Sequence, residues 1–180
     1  FYIDPWRPVE RAVITHAHAD HARAGHRHYL CSAEGAALLR VRLGDVALQP
    51  LAWGETIDLH GVRLSLHPAG HVLGSAQVRI EHRGQVWVAS GDYFVSGSGD
   101  RNPTCSAFEA VRCHCFISES TFALPVYRWQ PQQQLFADIN AWWQGNADAG
   151  RPSLLLAYSL GKAQHLLAGV EASIGPILVH

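Results

Sequence analysis

The stretch "THAHADH", residues 15–21, places three imidazoles and a carboxylate within six positions: His16, His18, Asp20 and His21. A polar loop with scattered surface histidines is the plain alternative; a metal site is the chemical one. Imidazole suits zinc, and a carboxylate adds the charge a harder site wants. His16 and His18, two residues apart, project to one side of an extended chain, whereas Asp20 and His21 follow the turn and face a neighbouring point. Two ligand groups so spaced suit two cations roughly 3.5–4 Å apart. Such a pair needs further ligands. His71, in "HPAGHVLGSAQ", and Asp92, in "VASGDY", each follow an apolar strand-like run and sit directly behind a glycine. Metal-type side chains at the ends of apolar strands are expensive unless used.

The elements that must carry these residues are readable from the pattern. "AVIT" (12–15) reads as a short buried strand running straight into the histidine loop, and "HYLCS" (28–32) as another. "SAEGAALLRVRL" then has apolar residues at helical spacing with Ser32 as its expected cap. "ETIDL" (55–59) reads as a strand. Val62, Leu64 and Leu66 alternate with Arg63, Ser65 and His67, the period of a half-buried strand. "AQVRIEH" and "QVWVASGD" flank Arg83-Gly84, a hairpin signal, and "GDYFVSGSGDRNP" (91–103) is loop chemistry. Beyond it, "CFISES" (115–120) reads as a strand and "PQQQLFADINAWWQGNADAG" (131–150) as a helix opening on proline and closing near glycine. "PSLLLAYS" (152–159), "GKAQHLLAGVEASI" (161–174) and "PILVH" (176–180) read as buried strand, helix and strand, an alternation that implies a parallel sheet. The expectation is an α/β chain: a sheet-on-sheet layer with helices over roughly the first hundred residues, then the opening of a separate α/β unit.

Composition sets the outer bounds. The chain has 180 residues, 48% hydrophobic and 16% charged, with a formal net charge of -1. That is globular, and it excludes a global basic field, so any affinity for a polyanion must be local; Arg23 and Arg27 are candidates. Lys162 is the only lysine. The four cysteines show no disulfide framework spacing, and Cys113-His114-Cys115 lacks the C-x2-C pattern of a zinc knuckle. No run of eighteen apolar residues suggests a membrane span, and no leader is visible at the start. The chain lacks methionine and opens and closes inside strand-like runs, so it is expected to be a piece of a longer protein.

Taken in order, "THAHADH", "AGHVLGSA" and "SGDY" resemble the metallo-β-lactamase superfamily. "SESTFALP" (118–125) and "SLGKAQ" (159–164) resemble its nuclease branch, the β-CASP proteins, and "ESTFALPVYRW" resembles the bacterial ligase-associated DNA exonucleases, also described as mRNA 3′-end processing factor-like. The resemblance implies a metallo-β-lactamase αββα sandwich over residues 1–115 and the incomplete start of an inserted β-CASP domain over 116–180. It implies that His16, His18 and His71 hold one zinc ion, that Asp20 and His21 hold a second, and that Asp92 bridges the two. Asp4 would support the histidine loop from behind. Asp20, Asp92 and Glu119 would take part in the reaction, Glu119 by orienting a histidine that protonates the leaving group.

The activity so implied is metal-dependent phosphodiester hydrolysis by a hydroxide activated between two zinc ions. The substrate would be single-stranded or frayed DNA, trimmed from an end during repair alongside an ATP-dependent DNA ligase, in the bacterial cytoplasm and away from membranes. A β-CASP ribonuclease or RNA 3′-end processing enzyme, or a non-catalytic β-CASP scaffold subunit, are the alternatives. A small-ester hydrolase is disfavoured by "ESTFALP" and "SLGKAQ". Ser159, Gly161 and Lys162, between an expected strand and a helix start, are candidate phosphate contacts, with an ordinary helix start as the alternative. Ala123 stands where the family often has glycine. The family's further histidine ligand and its β-CASP histidine motifs fall later than residue 180, and His180 is given neither role. His26 and His28 read as the exposed start of the next element. Tyr127 and Trp129 read as core aromatics, with base stacking as the alternative.

Overall fold

The computed structural model describes residues 1–95 and 102–179; part of the glycine-rich 91–103 loop and His180 lie outside the described residues. Four short strands, β1 (Tyr2–Ile3), β2 (Arg11–Val13), β3 (His28–Ser32) and β4 (Leu48–Leu51), pair in that order, all parallel. Helix α1 (Ala36–Leu43) lies between β3 and β4 in sequence. A parallel sheet is covered on both faces, and the side chains of this one alternate accordingly. Ala12, Tyr29 and Cys31 go to a cluster with Leu39 of α1, while Val13 and Leu30 go to a second cluster with Leu51, Leu64, Leu66 and Val78. Each fully buried leucine there contributes about 1.5–3 kcal/mol.

The second cluster is the seam between the two sheets. Strands β5 (Thr56–Leu59), β6 (Val62–Pro68), β7 (Ala76–His82) and β8 (Gln85–Ala89) form an antiparallel meander, and β9 (Cys115–Ile117) adds parallel to β8. The β7–β8 hairpin turns through Arg83 and Gly84, both at positive φ (50° and 76°), the geometry of a type I′ turn. Leu64 and Leu66 face the seam as their alternation predicts. The opposite face of β6 and β7 is covered too: Gln77 Nε2 donates to the carbonyls of Pro68 and Glu109, and His67 Nδ1 meets Glu109 Oε1 at 3.0 Å. The expected domain boundary at 115/116 falls inside β9.

Helices α2 (Gln132–Asp148) and α3 (Lys162–Gly169) form where the sequence places them. The strands expected over 152–159 and 176–180 do not form among the described residues. An apolar run becomes a strand only when a neighbouring backbone takes up its N–H and C=O groups, and no described segment pairs with either run. Leu154, Leu156 and Leu178 are accordingly among the most exposed apolar side chains. The expected parallel sheet in this half is therefore absent from the described residues. A smaller difference concerns Ser32. It does not cap α1, whose N-cap is Gly35; its hydroxyl accepts from Gly35 N at 3.0 Å and donates to Gly74 O at 2.6 Å.

That last bond marks a close approach. The β6–β7 loop carrying His71 meets the start of α1 backbone to backbone, and a Cβ on Gly74 (φ +74°) would collide with the N and Cα of Gly35. Gly54 has the same φ (+75°) with nothing within 4 Å. Gly54→Ala is expected to cost about 1–2 kcal/mol, the strain of a left-handed residue alone. Gly74→Ala should cost about 1–3 kcal/mol more for the overpacking. Thermal unfolding of the two variants side by side checks this; equal losses would mean the loop can retreat from α1.

Candidate metal centre

The strand directions bring the site together. β6, β8 and β9 run the same way, so His71, Asp92 and Glu119 all follow carboxyl ends at one edge of the second sheet. Asp4 and the histidine loop follow β1 and β2, which are parallel, at one edge of the first. Gly91 lets the two edges approach, and Gly70 lets two loops of the second sheet pass each other. A Cβ on Gly91 (φ +57°) would lie 2.8 Å from Thr15 Cβ, and one on Gly70 (φ +78°) 2.5 Å from the Phe94 carbonyl. The glycine directly before each of these ligands is thus a requirement of the fold.

Asp4 organises the histidine loop. At φ 43° it occupies a conformation that aspartate tolerates better than most residues. Its Oδ1 accepts from Thr15 N at 2.8 Å, and its Oδ2 accepts from Thr15 Oγ1 at 2.6 Å and from His21 Nδ1 at 2.8 Å. With its proton committed to Asp4, the Thr15 hydroxyl accepts from His16 Nδ1, 3.1 Å away. His16 Nε2 is then left as a lone pair. His18 Nε2 faces the Leu160 carbonyl at 3.1 Å; a carbonyl only accepts, so His18 Nδ1 is also a lone pair.

Those two lone pairs face each other at 2.9 Å. His71 Nε2 lies 3.4 Å from His18 Nδ1, and Asp92 Oδ2 lies 3.8 Å from both His16 Nε2 and His71 Nε2. One donor atom from each of His16, His18, His71 and Asp92 falls within 4.8 Å of all the others. Ligands bound tetrahedrally to zinc at about 2.1 Å would lie about 3.4 Å apart, a value that the spacings of 2.9–3.8 Å bracket, so the donor set fits such an ion. On the other side of Asp92, its Oδ1 lies 3.3 Å from His21 Nε2, and Asp20 Oδ2 is 3.6 Å from the same nitrogen. Asp92 thus offers one oxygen to each group. Asp20 is the outermost member, its side chain 71% exposed.

The electrostatics match. Burial first, and then the neighbouring His21, His71 and His18, hold His16 down to about 2; burial lowers His71 as well. Asp92 is held down to about 2 by its hydrogen bond with His21, against the effect of burial. For His21, burial pulls downward, but the carboxylates of Asp4 and Asp92 outweigh it and lift the ring to about 10. His16 and His71, neutral beside an ionised Asp92, are thus in the protonation states that metal ligation needs, whereas His21 is held protonated and must release a proton to take an ion.

The remaining candidates fall in various places. Glu119 accepts from Tyr93 N at 3.0 Å and from Thr121 Oγ1 at 2.8 Å, fastening the residue after Asp92 to the end of β9. Gly161 (φ +92°) gives its N–H to Gln164 Oε1 at 2.7 Å, and Ser159 O accepts from Gln164 Nε2. Lys162 Nζ lies 5.5 Å from the centre of the Tyr158 ring. Through Leu160 this segment reaches His18, a partnership with no sequence signal across 142 positions. Thr15 was also passed over, although it adjoins the motif. His26 is buried, not exposed: only 8% accessible, with its Nδ1 accepting from Val9 N at 3.3 Å. Its ring packs at a tilt against the strand residue Tyr29, which the polar run "GHRHY" conceals. Tyr127 and Trp129 are exposed rather than core, packed edge-on against an equally exposed Phe122. His114 is spent on the β8–β9 junction, its Nδ1 accepting from Val86 N.

Comparisons with known proteins bear on the chain's family. No family model matches the chain. Over its whole length it is 37% identical to the "Probable DNA ligase" of Opitutus terrae, of which it covers 18%. Over 67% of its length it is 30% identical to the "Endoribonuclease YSH1" of Yarrowia lipolytica, of which it covers 14%. The chain is a metallo-β-lactamase relative of the β-CASP branch. It spans less than a fifth of the length of these curated relatives. Among solved structures, Zn(2+)-bound PqqB from Methylobacterium extorquens superposes on 49% of this β-CASP relative and on 40% of its own chain, with a TM-score of 0.39 and 13% identity.

Asp4 touches none of the four clustered donors except through Thr15 and His21, so its replacement isolates positioning. Asp4→Asn keeps the size but cannot accept all three hydrogen bonds. It is expected to weaken divalent-metal uptake about 10–100-fold, read by competition against a chromophoric chelator. Uptake equal to the parent protein would show that the loop holds its histidines without Asp4.

Proposed function

We propose that this chain is the catalytic part of a metal-dependent nuclease that hydrolyses phosphodiesters of nucleic acid, and that the full protein trims DNA from an end. The single observation that carries the reading is Asp92, one carboxylate shared between the His16/His18/His71 group and the Asp20/His21 group. A shared carboxylate between two donor sets is the arrangement of a two-metal hydrolase. The names of the two relatives supply the substrate class. In this reading residues 1–115 form the metallo-β-lactamase domain and 116–180 begin the β-CASP domain.

His16, His18 and His71 would hold one zinc ion, Asp20 and His21 the other, with Asp92 between them. Bound there, two such ions supply a hydroxide at neutral pH and charge to the phosphate oxygens. The chain's own residues do the rest. Asp4 and Leu160 O keep the imidazole lone pairs turned inward. Glu119 holds the Tyr93 backbone, and with it Asp92, against β9, and in this reading also orients a proton donor for the departing oxygen. Ser159, Gly161 and Lys162, beside His18, are proposed to flank the phosphate chain. Since Gln164 occupies the Gly161 N–H, Lys162 would contribute by its side chain.

The match to a protein named a DNA ligase favours DNA and a functional link to an ATP-dependent ligase; the match to an endoribonuclease keeps RNA as the second reading. A non-catalytic scaffold is disfavoured by the presence together of His16, His18, Asp20, His21, His71 and Asp92. Among the described residues no helix is long and apolar enough to cross a membrane, and we place the protein in the bacterial cytoplasm.

The test compares end-labelled linear DNA, covalently closed single-stranded circles and matched RNA, each digested by the zinc-loaded full-length protein. Linear DNA should be degraded fastest. Circles cut as fast as linear strands would end the end-trimming claim, and faster loss of RNA would install the ribonuclease reading. Asp92→Asn and His18→Ala should each lower the rate more than about a hundredfold, beyond the loss from an outer partner of a ligand. His28→Ala, whose ring is 45% exposed and touches only Glu10, should leave it unchanged. Equal losses in all three would mean that the cluster is not the reactive centre.

A further inference from the structure

Two residues beyond Asp4 stands Trp6, and two residues beyond His21 stands Arg23. The Arg23 guanidinium carbon lies 4.4 Å from the centre of the Trp6 ring, and its Nε donates to the Asp20 carbonyl at 3.3 Å. Trp6 is nonetheless 77% exposed. An indole is among the largest apolar side chains and is highly buried on average, so one held out in water invites a reason. This one covers nothing: it belongs to neither buried cluster nor to the partly buried shell around them. The guanidinium lies over one face of the ring, and an exposure this high leaves most of the remaining indole surface in solvent. Among the described residues no carboxylate pairs with Arg23, although Asp20 is nearby; the Asp20 carboxylate faces His21 instead.

We propose that Trp6 and Arg23 form a subsite for one nucleotide of a single strand, beside the Asp20/His21 edge of the metal cluster, with the base stacked on the exposed indole and an adjoining phosphate on the Arg23 guanidinium. The proposal rests on the nucleic-acid reading above. Three features on the page carry it. The ring is already oriented by its cation contact, so little further ordering is needed on binding. Its exposed surface is flat and aromatic, which accepts any base without selecting sequence. The guanidinium is planar, always charged and lacks a competing carboxylate, which suits a phosphate better than an ammonium would. Two residues span at most about 7 Å, so both groups are within a nucleotide or so of the Asp20/His21 group. A broad apolar patch would suit a protein segment; a single ring with one arginine suits a nucleotide.

The experiment uses the zinc-loaded full-length protein and a fluorescent single strand with phosphorothioate linkages to resist cleavage, alongside the same strand made abasic. Binding is followed by anisotropy across a salt series, and zinc content is measured for every variant. The parent protein should bind the base-bearing strand about tenfold more tightly than the abasic one. Trp6→Ala should lose that difference while binding the abasic strand as the parent does, and Trp6→Phe should keep most of it. Arg23→Ala should weaken both strands equally and reduce the slope of log affinity against log salt by about 0.7. Zinc content should not change. Trp6→Ala binding the base-bearing strand like the parent, or losing both strands equally, overturns the subsite, as does a parent protein that does not distinguish the two strands. Hydrolysis of bis(p-nitrophenyl) phosphate by the loaded parent protein is scored separately. Its absence with the strand discrimination intact would remove the nuclease reading and leave the subsite standing.

Discussion

The Asp4 carboxylate accepts three hydrogen bonds, from the backbone and hydroxyl of Thr15 and from the ring of His21. Hydrogen bonds to a charged group contribute about 1.5–3 kcal/mol each, and these three act on consecutive parts of one loop. They fix the orientation of the His21 ring and keep a proton on its Nδ1, and through the Thr15 hydroxyl they decide which nitrogen of His16 carries the proton. Without that choice the imidazoles would be present but their lone pairs need not converge. The left-handed backbone of Asp4 is the strain accepted to aim this carboxylate back at β2.

Convergence also requires two sheets to meet at their edges, and the sequence provides for this with small residues rather than with attractive ones. An added carbon on Gly91, before Asp92, would strike Thr15, and one on Gly74, in the His71 loop, would strike Gly35; one on Gly70, before His71, would strike Phe94 within the second sheet's own loops. Hydrophobic burial along the Leu30, Leu64, Leu66 and Val78 seam draws the sheets together, and the glycines set how close the loops come. The chemistry is placed by what has been left out of the backbone path as much as by the ligands.

How far this could be read beforehand depended on whether a signal was local. The six ligand-type residues are legible because four crowd into one short loop and His71 and Asp92 each follow an apolar strand, and the hairpin because Arg83-Gly84 allows few other conformations. Most strands of the two sheets could be outlined from alternation or from short apolar runs, but β4, whose LQPL run is interrupted by a glutamine and a proline, carries neither signal. What escaped was non-local. The Leu160 carbonyl acts on His18 from the far half of the chain, and the burial of His26 depends on Tyr29 and Val9 rather than on its polar neighbours. The runs at 152–159 and 176–180 have the composition of buried strands, yet composition states only that a segment would pair well, not that a partner lies beside it. Ser32, expected as the cap of α1, instead sits one turn ahead of it, and its bond to Gly74 belongs to the contact between layers and not to the helix.

His16, His18 and His21 hang from the first sheet, and His71 and Asp92 from the second. Any cation gripped by both sets is therefore a cross-brace between the two halves of the sandwich, and it exists only while they are folded together. An ion that binds the folded form alone adds about 2.7 kcal/mol of stability when its free concentration is a hundred times its dissociation constant. That is a sizeable share of what holds an ordinary domain together. Scarcity of the ion would thus thin the folded population as well as silence it, and the unfolded remainder is what cellular proteases consume. In this architecture, metal supply becomes a control on protein abundance.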